Sequence, residues 1–337
     1  MTWSMAPSSP VAVDPAAVPA DAMPPARAAA TSAPASQVCA VVVTLNPDVE
    51  HFGQLVGALA CQVGHVFVVD NGSDAAVRNA LVRVCPTDRA TFVPLPSNQG
   101  IARAQNVGIR LALEAKAEFV LLSDHDSLPH DDMVKTLLGA LHDRRTAGGR
   151  VAAVGPVSID RRTGTPSKFV RLTWRGVRRF GCDDAVDGVV PADFLIASGC
   201  LIPADALEAV GAMNEGYFID HVDTEWCLRA RHLGWEIFGV CGARLDHSLG
   251  DSVIRVWLGR WREVPVHSPV RDYYMFRNTI FLLKNPSTSL GWALTHCYRM
   301  AQFFLFFGCF VPPRATRWGM IAKGIWHGLV GRAGKLQ

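Results

Sequence analysis

Continuous apolar stretches alternate with helical patterns along the first half of the chain. The segment VCAVVVTLN (residues 38–46) is rich in β-branched residues and carries no charge, which is typical of a strand buried on both faces. Apolar side chains then recur at helical spacing from Phe52 to Leu59, and HVFVVDNGS (residues 65–73) is a second buried strand that ends in a turn signal. This alternation predicts a largely parallel sheet.

The same alternation extends to residue 126. A helical pattern over residues 77–82 precedes a short strand in TFVPLP (residues 91–96), and the next helix is predicted over residues 101–115. EFVLLSDHD (residues 118–126) is the fourth predicted strand. The order indicates an α/β fold in which helices flank both faces of a mainly parallel sheet.

The second half of the chain is less regular. DFLIASGCLIP (residues 193–203) and WEIFGVCGARLDH (residues 235–247) are predicted strands, and residues 216–234 between them predict a helix. Asp220 and Asp223 lie near the start of that helix, where the macrodipole favours negative charge.

The two ends of the chain depart from this pattern. Residues 1–37 are rich in Ala, Pro and Ser and lack the start of a secretory signal, so we expect them to be disordered. Residues 289–313 are strongly apolar, but their uninterrupted part is shorter than the roughly 20 residues that a membrane-spanning helix needs. Aromatic and basic residues that follow favour a helix in the membrane interface, and a core helix packed on the domain is the alternative. The predicted division is a disordered segment at 1–37, a catalytic domain at 38–285 and C-terminal amphipathic or apolar helices at 286–337.

Composition narrows the function only slightly. The net charge of +3 over 337 residues is too mild to indicate nucleic-acid binding. The nine cysteines include no Cys-x-x-Cys pair, so the sequence suggests neither a disulfide framework nor a cysteine zinc site, and isolated thiols fit a reducing cytoplasm.

Polar residues follow the carboxyl ends of four predicted strands. They fall at residues 44–46, 70–73, 98–100 and 124–127. In a parallel sheet these ends lie at one edge, which is where ligands bind. Four polar groups at one edge therefore predict a binding site.

Two aspartates at the end of the fourth strand are candidate metal ligands. Asp124 and Asp126 are two residues apart, and strand alternation predicts that both carboxylates point to the same side. Such hard oxygen ligands suit Mg²⁺ or Mn²⁺. The alternative is a polar turn without a ligand.

Acidic residues later in the chain supply a candidate base. Asp223 is placed to act as a general base, and Glu225 to orient it or to hold an acceptor, whereas for Asp220 alone a stabilising position at a helix start is favoured. His247 is either a hydrogen-bonded structural residue or a third metal ligand. Arg103 lies one turn into the third helix, within reach of a phosphate, although its surroundings match neither a dinucleotide fingerprint nor a P-loop.

Six segments taken together resemble the motif series of the inverting, GT-A-fold family 2 glycosyltransferases, and within them the bacterial rhamnosyltransferases that use dTDP-L-rhamnose. They are VVVTLNP, VVDNGS, SNQGIARAQNVGI, LLSDHDS, FIDHVDTEWCLRA and HSLGD. The resemblance covers about residues 38–285. It implies a Rossmann-like sheet, a nucleotide-sugar donor and a divalent cation.

The resemblance also implies roles for individual residues. Asp223 aligns with the catalytic base, although Val222 stands where the family usually has a preceding acid. Asp126 is the main metal ligand, with His247 and Asp124 beside it. Donor-binding roles fall to Thr44, Asn46, Asp70, Asn71, Ser73, Asn98, Gly100, Arg103 and Asp124. From the residues and the chemistry of the reaction, apart from the resemblance, contacts to the acceptor or diphosphate are expected of Glu225, Arg271, Tyr273 and Arg277, although an amphipathic core helix explains the last three residues equally well.

The function expected on this basis is inverting transfer of L-rhamnose to a hydroxyl of a glycan or glycolipid at the inner face of the cell membrane. The leaving diphosphate requires neutralisation by a cation, and the acceptor hydroxyl requires a base. Two alternatives remain open at this point: the same mechanism with a UDP-hexose or UDP-galactofuranose, or an inactive binding protein that kept the fold.

Overall fold

The strand predicted at residue 38 is buried along its whole length in the computed structural model, which describes residues 36–85, 88–247, 252–257 and 261–337. Predictions for residues 1–35 and for residues 248–251 of the HSLGD segment lie outside the described residues. The strands are β1 (Val38–Thr44), β2 (His65–Asp70), β3 (Ala90–Pro94), β4 (Phe119–Asp124), β5 (Ser127–Pro129), β6 (Val151–Asp160), β7 (Phe169–Thr173), β8 (Gly176–Phe180), β9 (Val189–Pro191), β10 (Cys200–Pro203), β11 (Glu236–His247), β12 (Ser252–Trp257) and β13 (Trp261–Val266). The helices are α1 (Val49–Ala60), α2 (Ala75–Val84), α3 (Ile101–Glu114), α4 (Met133–Thr146), α5 (Ala204–Val210), α6 (Val222–His232), α7 (Pro269–Lys284), α8 (Leu290–Phe310) and α9 (Arg314–Val330).

The main sheet confirms the α/β prediction. Its strands run in the order β3-β2-β1-β4-β10-β6-β11-β5, with β9 also paired to β11. β3, β2, β1 and β4 are mutually parallel, β10 is antiparallel to both of its neighbours, and β11 is parallel to β6. The carboxyl ends of β1, β2, β4, β6 and β11 therefore meet at one edge.

Helices cover both faces of this sheet because its central strands are apolar on both sides. Alternate residues of β1 belong to two separate cores: Val42 packs with α1 and α4 on one face, and Val41 lies against α3 on the other. α3 approaches closely at Gly108, where an added Cβ would lie 2.2 Å from Val41 Cγ1. Only glycine lets this helix lie so near the strand.

Three predicted boundaries differ from the structure. The fourth strand ends at Asp124, so Asp126 lies in the following turn and strand alternation does not apply to it. Of the strand predicted over 193–203, only Cys200–Pro203 pairs in the sheet. The helix predicted over 216–234 begins at Val222, because residues with positive φ precede it.

The C-terminal helices pack on α7 and directly on the sheet domain, where Trp292 Nε1 of α8 donates to Asp193 Oδ2 at 2.9 Å. Gly324 and Gly328 of α9 pack on the backbone and side chains of α7 at Tyr273 and Ile280. Among the described helices, none has the length and apolar character that a membrane crossing requires. The predicted division after residue 285 falls just beyond α7, which ends at Lys284.

The cysteine prediction is wrong for one pair. Cys182 and Cys241 form a disulfide across 59 residues of sequence. Their spacing matches no local motif, and only the packing of the segment after β8 on β11 brings them together. Because these two cysteines are paired, the cysteine content no longer indicates a reducing compartment.

Candidate active site

The ends of β1 and β2 form one side of the candidate site. Thr44 lies opposite Asp70 in the strand register and is 1 % exposed. Within the described part of the chain, Thr44 Oγ1 is buried and has no hydrogen-bond partner. A buried hydroxyl is normally paired, so a ligand that completes this bond would be stabilised here.

The loops after β1 and β2 are tied to each other. The Asn46 backbone N–H donates to Ser73 Oγ at 2.8 Å, and the Asp74 N–H donates to Asn46 Oδ1 at 2.9 Å. Asn46 has a φ of 46°, a value that Asn tolerates better than most residues. These bonds hold the two loops as one rigid rim.

Asp70 shapes this rim instead of facing a ligand. It is fully buried, its Oδ1 accepts the Ser73 N–H at 3.0 Å, and its Oδ2 accepts Arg78 Nε at 2.9 Å. With both oxygens engaged, Asp70 orders the turn after β2. The structure thus places this predicted donor-binding residue behind the rim.

A third loop, between β3 and α3, joins the rim to the segment before α6. Asn98 Oδ1 accepts the Gly100 N–H at 3.0 Å and Asn71 Nδ2 at 3.2 Å. Gly100 has a φ of 90°, and a Cβ there would lie 2.6 Å from Phe218. The Ile101 N–H donates to the Phe218 carbonyl at 2.7 Å. Gly100 is therefore required by conformation and by space.

Arg103 follows Gly100 by one turn of α3. Its guanidinium is exposed and forms an ion pair with Glu215 at 3.2 Å. Its contact with a phosphate stays a prediction.

Asp124 is the last residue of β4 and lies at the sheet edge where the parallel strands end. Its Oδ2 accepts a hydrogen bond from Ser198 Oγ at 2.5 Å. Burial raises the pKa of Asp124, the Ser198 bond opposes that shift, and the neighbouring Asp126 charge adds to it. The hydroxyl therefore stabilises an ionised carboxylate that its surroundings disfavour.

Asp126 and His247 form the candidate cation site. Asp126 Oδ1 lies 3.4 Å from His247 Nδ1, and this buried oxygen has no hydrogen-bond partner among the described residues. His247 Nδ1 also contacts Ser127 Oγ at 2.9 Å. No group of three His, Cys, Asp or Glu side chains within metal-binding reach occurs in the described residues. An unpaired carboxylate oxygen beside an imidazole fits a divalent cation whose other ligands come from donor and water.

Asp223 lies in the first turn of α6 and is half-buried. Its Oδ1 accepts the Thr224 N–H at 2.7 Å. Burial, and to a lesser extent the charges of Asp124 and Asp220, raise the pKa of Asp223 to about 6. A carboxylate with this pKa is ionised at neutral pH and still basic enough to accept a proton, as a general base requires.

The loop before Asp223 has an unusual backbone. Phe218, Asp220 and His221 have φ values of 63°, 64° and 62°, a region that such residues rarely occupy. Asn278 of α7 is fully buried, and its Nδ2 donates to the carbonyls of three residues of this loop, Tyr217, Ile219 and Asp220. The amide holds the strained backbone that sets the position of α6.

Glu225 and Arg271 are engaged with other side chains. Glu225 is 2 % exposed and accepts two bonds at 3.0 Å from Arg229. Arg271 pairs with Asp220 at 2.6 Å, beside the strained loop. Glu225 is thus out of reach of an acceptor, whereas Arg271 lies next to the segment that carries Asp223.

Tyr273 and Arg277 are core residues of α7. The Tyr273 hydroxyl contacts His327 Nδ1 at 2.7 Å. Arg277 is fully buried and donates to the carbonyls of Gly216, Tyr217 and Gly334. Tyr273 and Arg277 thus have the positions expected of an amphipathic core helix, not of contacts to the acceptor or diphosphate.

Sequence reasoning missed Ser198, Arg78 and Asn278. A Ser-Gly pair before a strand was the only local signal for Ser198, which contacts Asp124 from 74 residues away. Asn278 binds a loop that lies 58 to 61 residues earlier, and its own helix shows nothing unusual.

Comparisons with known proteins agree with this arrangement. Residues 40–207 match the family model described as Glycosyl transferase family 2. The chain is 34% identical over 251 residues to the dTDP-rhamnosyl transferase RfbF of Shigella flexneri, covering 74% of this chain and 80% of that one. It is 29% identical over 262 residues to the galactofuranosyltransferase GlfT1 of Mycolicibacterium smegmatis, covering 74% and 83%. The crystal structure of GalNAc-T7 with UDP, GalNAc and Mn²⁺ superposes with a TM-score of 0.53 at 11% identity, covering 82% of this chain and 58% of that one, a likeness of fold alone.

Proposed function

The chain belongs to glycosyltransferase family 2 and has the GT-A fold, and we propose that it transfers L-rhamnose from dTDP-L-rhamnose to a hydroxyl of a glycan or glycolipid. The observation that carries the donor assignment is the 34% identity to a dTDP-rhamnosyl transferase over 80% of that protein's length.

In the proposed reaction Asp223 accepts the proton of the acceptor hydroxyl as this oxygen attacks the anomeric carbon. The bond to the diphosphate breaks in the same displacement, so the anomeric configuration inverts and no covalent enzyme intermediate is needed. Asp126 and His247 would hold a divalent cation, with Asp124 beside them, and such a cation neutralises charge on the leaving diphosphate. The nucleotide would be bound by Thr44, Asn46, Asn71 and Ser73 after β1 and β2, and by Asn98 and Gly100 after β3.

An acceptor at a membrane surface is supported by the exposed face of α8. Leu290, Leu294, Tyr298 and Leu305 lie on one side of this helix and are 59 to 76 % exposed. Side chains of this kind suit the interface of a bilayer. We infer peripheral association with a membrane surface, where a lipid-linked glycan would be presented.

Calorimetric titration of the full chain with dTDP-rhamnose, UDP-glucose and UDP-galactose, with and without Mn²⁺, tests the donor. We expect Mn²⁺-dependent binding that favours dTDP-rhamnose by about tenfold, or about 1.4 kcal/mol. Preference for a UDP-sugar would retain the glycosyltransferase and reject rhamnose as its donor.

A galactofuranose donor is the second candidate, because of the 29% identity to a galactofuranosyltransferase over 83% of its length. UDP-galactofuranose added to the same titration separates the two by the difference in their Kd values.

A further inference from the structure

A cavity of about 620 Å³ lies at the sheet edge on the far side of β4 from the proposed nucleotide loops. Its walls come from the ends of β6 and β11, the β7–β8 hairpin and the segment that leads into β10. In the strand order, β4 separates β1 and β2 from β6 and β11. Since the nucleotide is expected over β1 and β2, the cavity is on the side from which an acceptor would approach β4. Its size is that of a small-molecule site.

The cavity reaches the proposed reaction centre. Ser198 and His247 both line it, and these residues contact Asp124 and Asp126 respectively. A group bound in the cavity would thus lie next to the two carboxylates at the end of β4.

The cavity lining combines apolar and hydroxyl groups. Phe194 and Ile196 provide apolar surface, and Ile196 is 41 % exposed. Ser158 and Thr163 contribute hydroxyls on another wall. Sugars offer both apolar faces and hydroxyl groups, so this lining suits a saccharide.

The hairpin side of the cavity is cationic. Lys168 and Arg179 line it, and within the described residues neither forms an ion pair. Arg162 also lines it but is paired at 3.5 Å with Asp160, an acid that lines the cavity as well. Burial, and then the nearby Arg179 guanidinium, lower the pKa of Arg299 on α8, so positive charges repel one another at this place. An anion would relieve that repulsion.

We propose that this cavity is the acceptor site and that it takes a saccharide carrying a phosphate ester, with the phosphate held by Lys168 and Arg179. The inference deepens the proposed function and rests on it for the identity of the reaction. Two cations on the hairpin wall contact the phosphate, while the sugar hydroxyl to be glycosylated points towards Asp124 and Asp223.

Binding of hexose 1-phosphates and of the corresponding methyl hexosides to the full chain, measured by calorimetry with saturating dTDP and Mn²⁺, tests this site directly. We expect the phosphates to bind about tenfold more tightly than the uncharged glycosides, a preference that salt weakens. In Lys168→Ala/Arg179→Ala the preference should fall below about threefold.

Arg178→Ala is the matched control. Arg178 adjoins Arg179 on β8 and is also exposed, but strand alternation directs it to the opposite face of the hairpin, and it does not line the cavity. We expect its phosphate preference to equal that of the unmodified chain. Arg179→Lys should retain most of the preference, because the charge is kept.

Two results would overturn the proposal: equal binding of phosphates and methyl glycosides, or weaker dTDP binding in the double variant. The second would assign the cations to the nucleotide diphosphate. If dTDP-rhamnose does not bind preferentially in the donor titration, only the donor assignment is rejected. The phosphate titration contains no donor sugar and therefore tests the acceptor site by itself.

Discussion

Asn278 Nδ2 lies 2.9 Å from the carbonyl oxygen of Asp220, three residues before the proposed base. Asp220 has a φ of 64°, and the same amide nitrogen lies within 2.9 Å of two further carbonyls of this loop. A side-chain amide has two N–H groups, so three carbonyls share them. The position of Asp223 thus depends on a residue of another helix.

Replacement of Asn278 by Asp should test this dependence, because the two side chains have the same shape and an ionised Asp donates no hydrogen bond. We expect kcat to fall at least about tenfold and donor Kd to rise by a smaller factor, because the loop carries the base and, among the described residues, touches the donor rim only where Phe218 accepts the Ile101 N–H. The carbonyls of Ile219 and Asp220 lose this donor, whereas Tyr217 keeps Arg277. An unpaired buried carbonyl costs about 1–3 kcal/mol, so the melting temperature should fall as well. Steady-state kinetics, calorimetry and thermal unfolding measure the three effects.

Val270→Ala, an exposed position on the same helix, is the control for Asn278. An Asn278→Asp enzyme with normal kcat would show that the loop keeps its geometry without the amide.

Asp223 should set the acidic limb of the pH profile. Burial raises its pKa to about 6, and a general base works only when ionised. We expect kcat/KM to fall as the pH drops through about 6, and Asp223→Asn to abolish transfer while dTDP-rhamnose still binds. Rates near those of the unmodified enzyme in Asp223→Asn would reject it as the base.

The same shift has a consequence for stability. A carboxyl group whose pKa rises from 3.8 to about 6 on folding favours the folded state below pH 4, and this contribution is lost as the pH rises through 6. Asp223→Asn should therefore be more stable than the unmodified chain at pH 7.5, by at most about 3 kcal/mol and by less to the extent that water screens this half-buried group, with no advantage below pH 4. Denaturant unfolding at both pH values compares them.

Removal of the divalent cation should abolish donor binding. We expect EDTA to eliminate the calorimetric signal of dTDP-rhamnose, and Asp126→Asn and His247→Ala each to weaken Mn²⁺-dependent binding about tenfold or more. Asp131→Asn, an exposed acid in the same part of the chain, is the control. Undiminished binding in EDTA would reject the cation site.

Reduction of the Cys182–Cys241 disulfide should lower stability. It closes a loop of 59 residues, for which chain entropy predicts up to about 4 kcal/mol. Cys182→Ser and treatment with dithiothreitol should lower the melting temperature by similar amounts. If dithiothreitol acts equally on the Cys182→Ser variant, the effect does not come from this bond.

The sequence by itself determined the α/β sheet and much of the rim. Apolar runs in β1, β2 and β4 are local, and strands buried on both faces leave little choice but a parallel sheet covered by helices. Because parallel strands end at one edge, strand order alone puts Thr44 and Asp124 at a common site.

Only the tertiary structure decided how these residues are used. Asp70 is buried behind the rim, where it pairs with Arg78. Arg277 is buried where it donates to the Tyr217 carbonyl of a loop 60 residues earlier. The contacts of Ser198 with Asp124 and of Asn278 with Asp220 span 74 and 58 residues. Hydrophobic periodicity has a range of a few residues, whereas these pairings arise from the packing of whole elements, which no local pattern encodes.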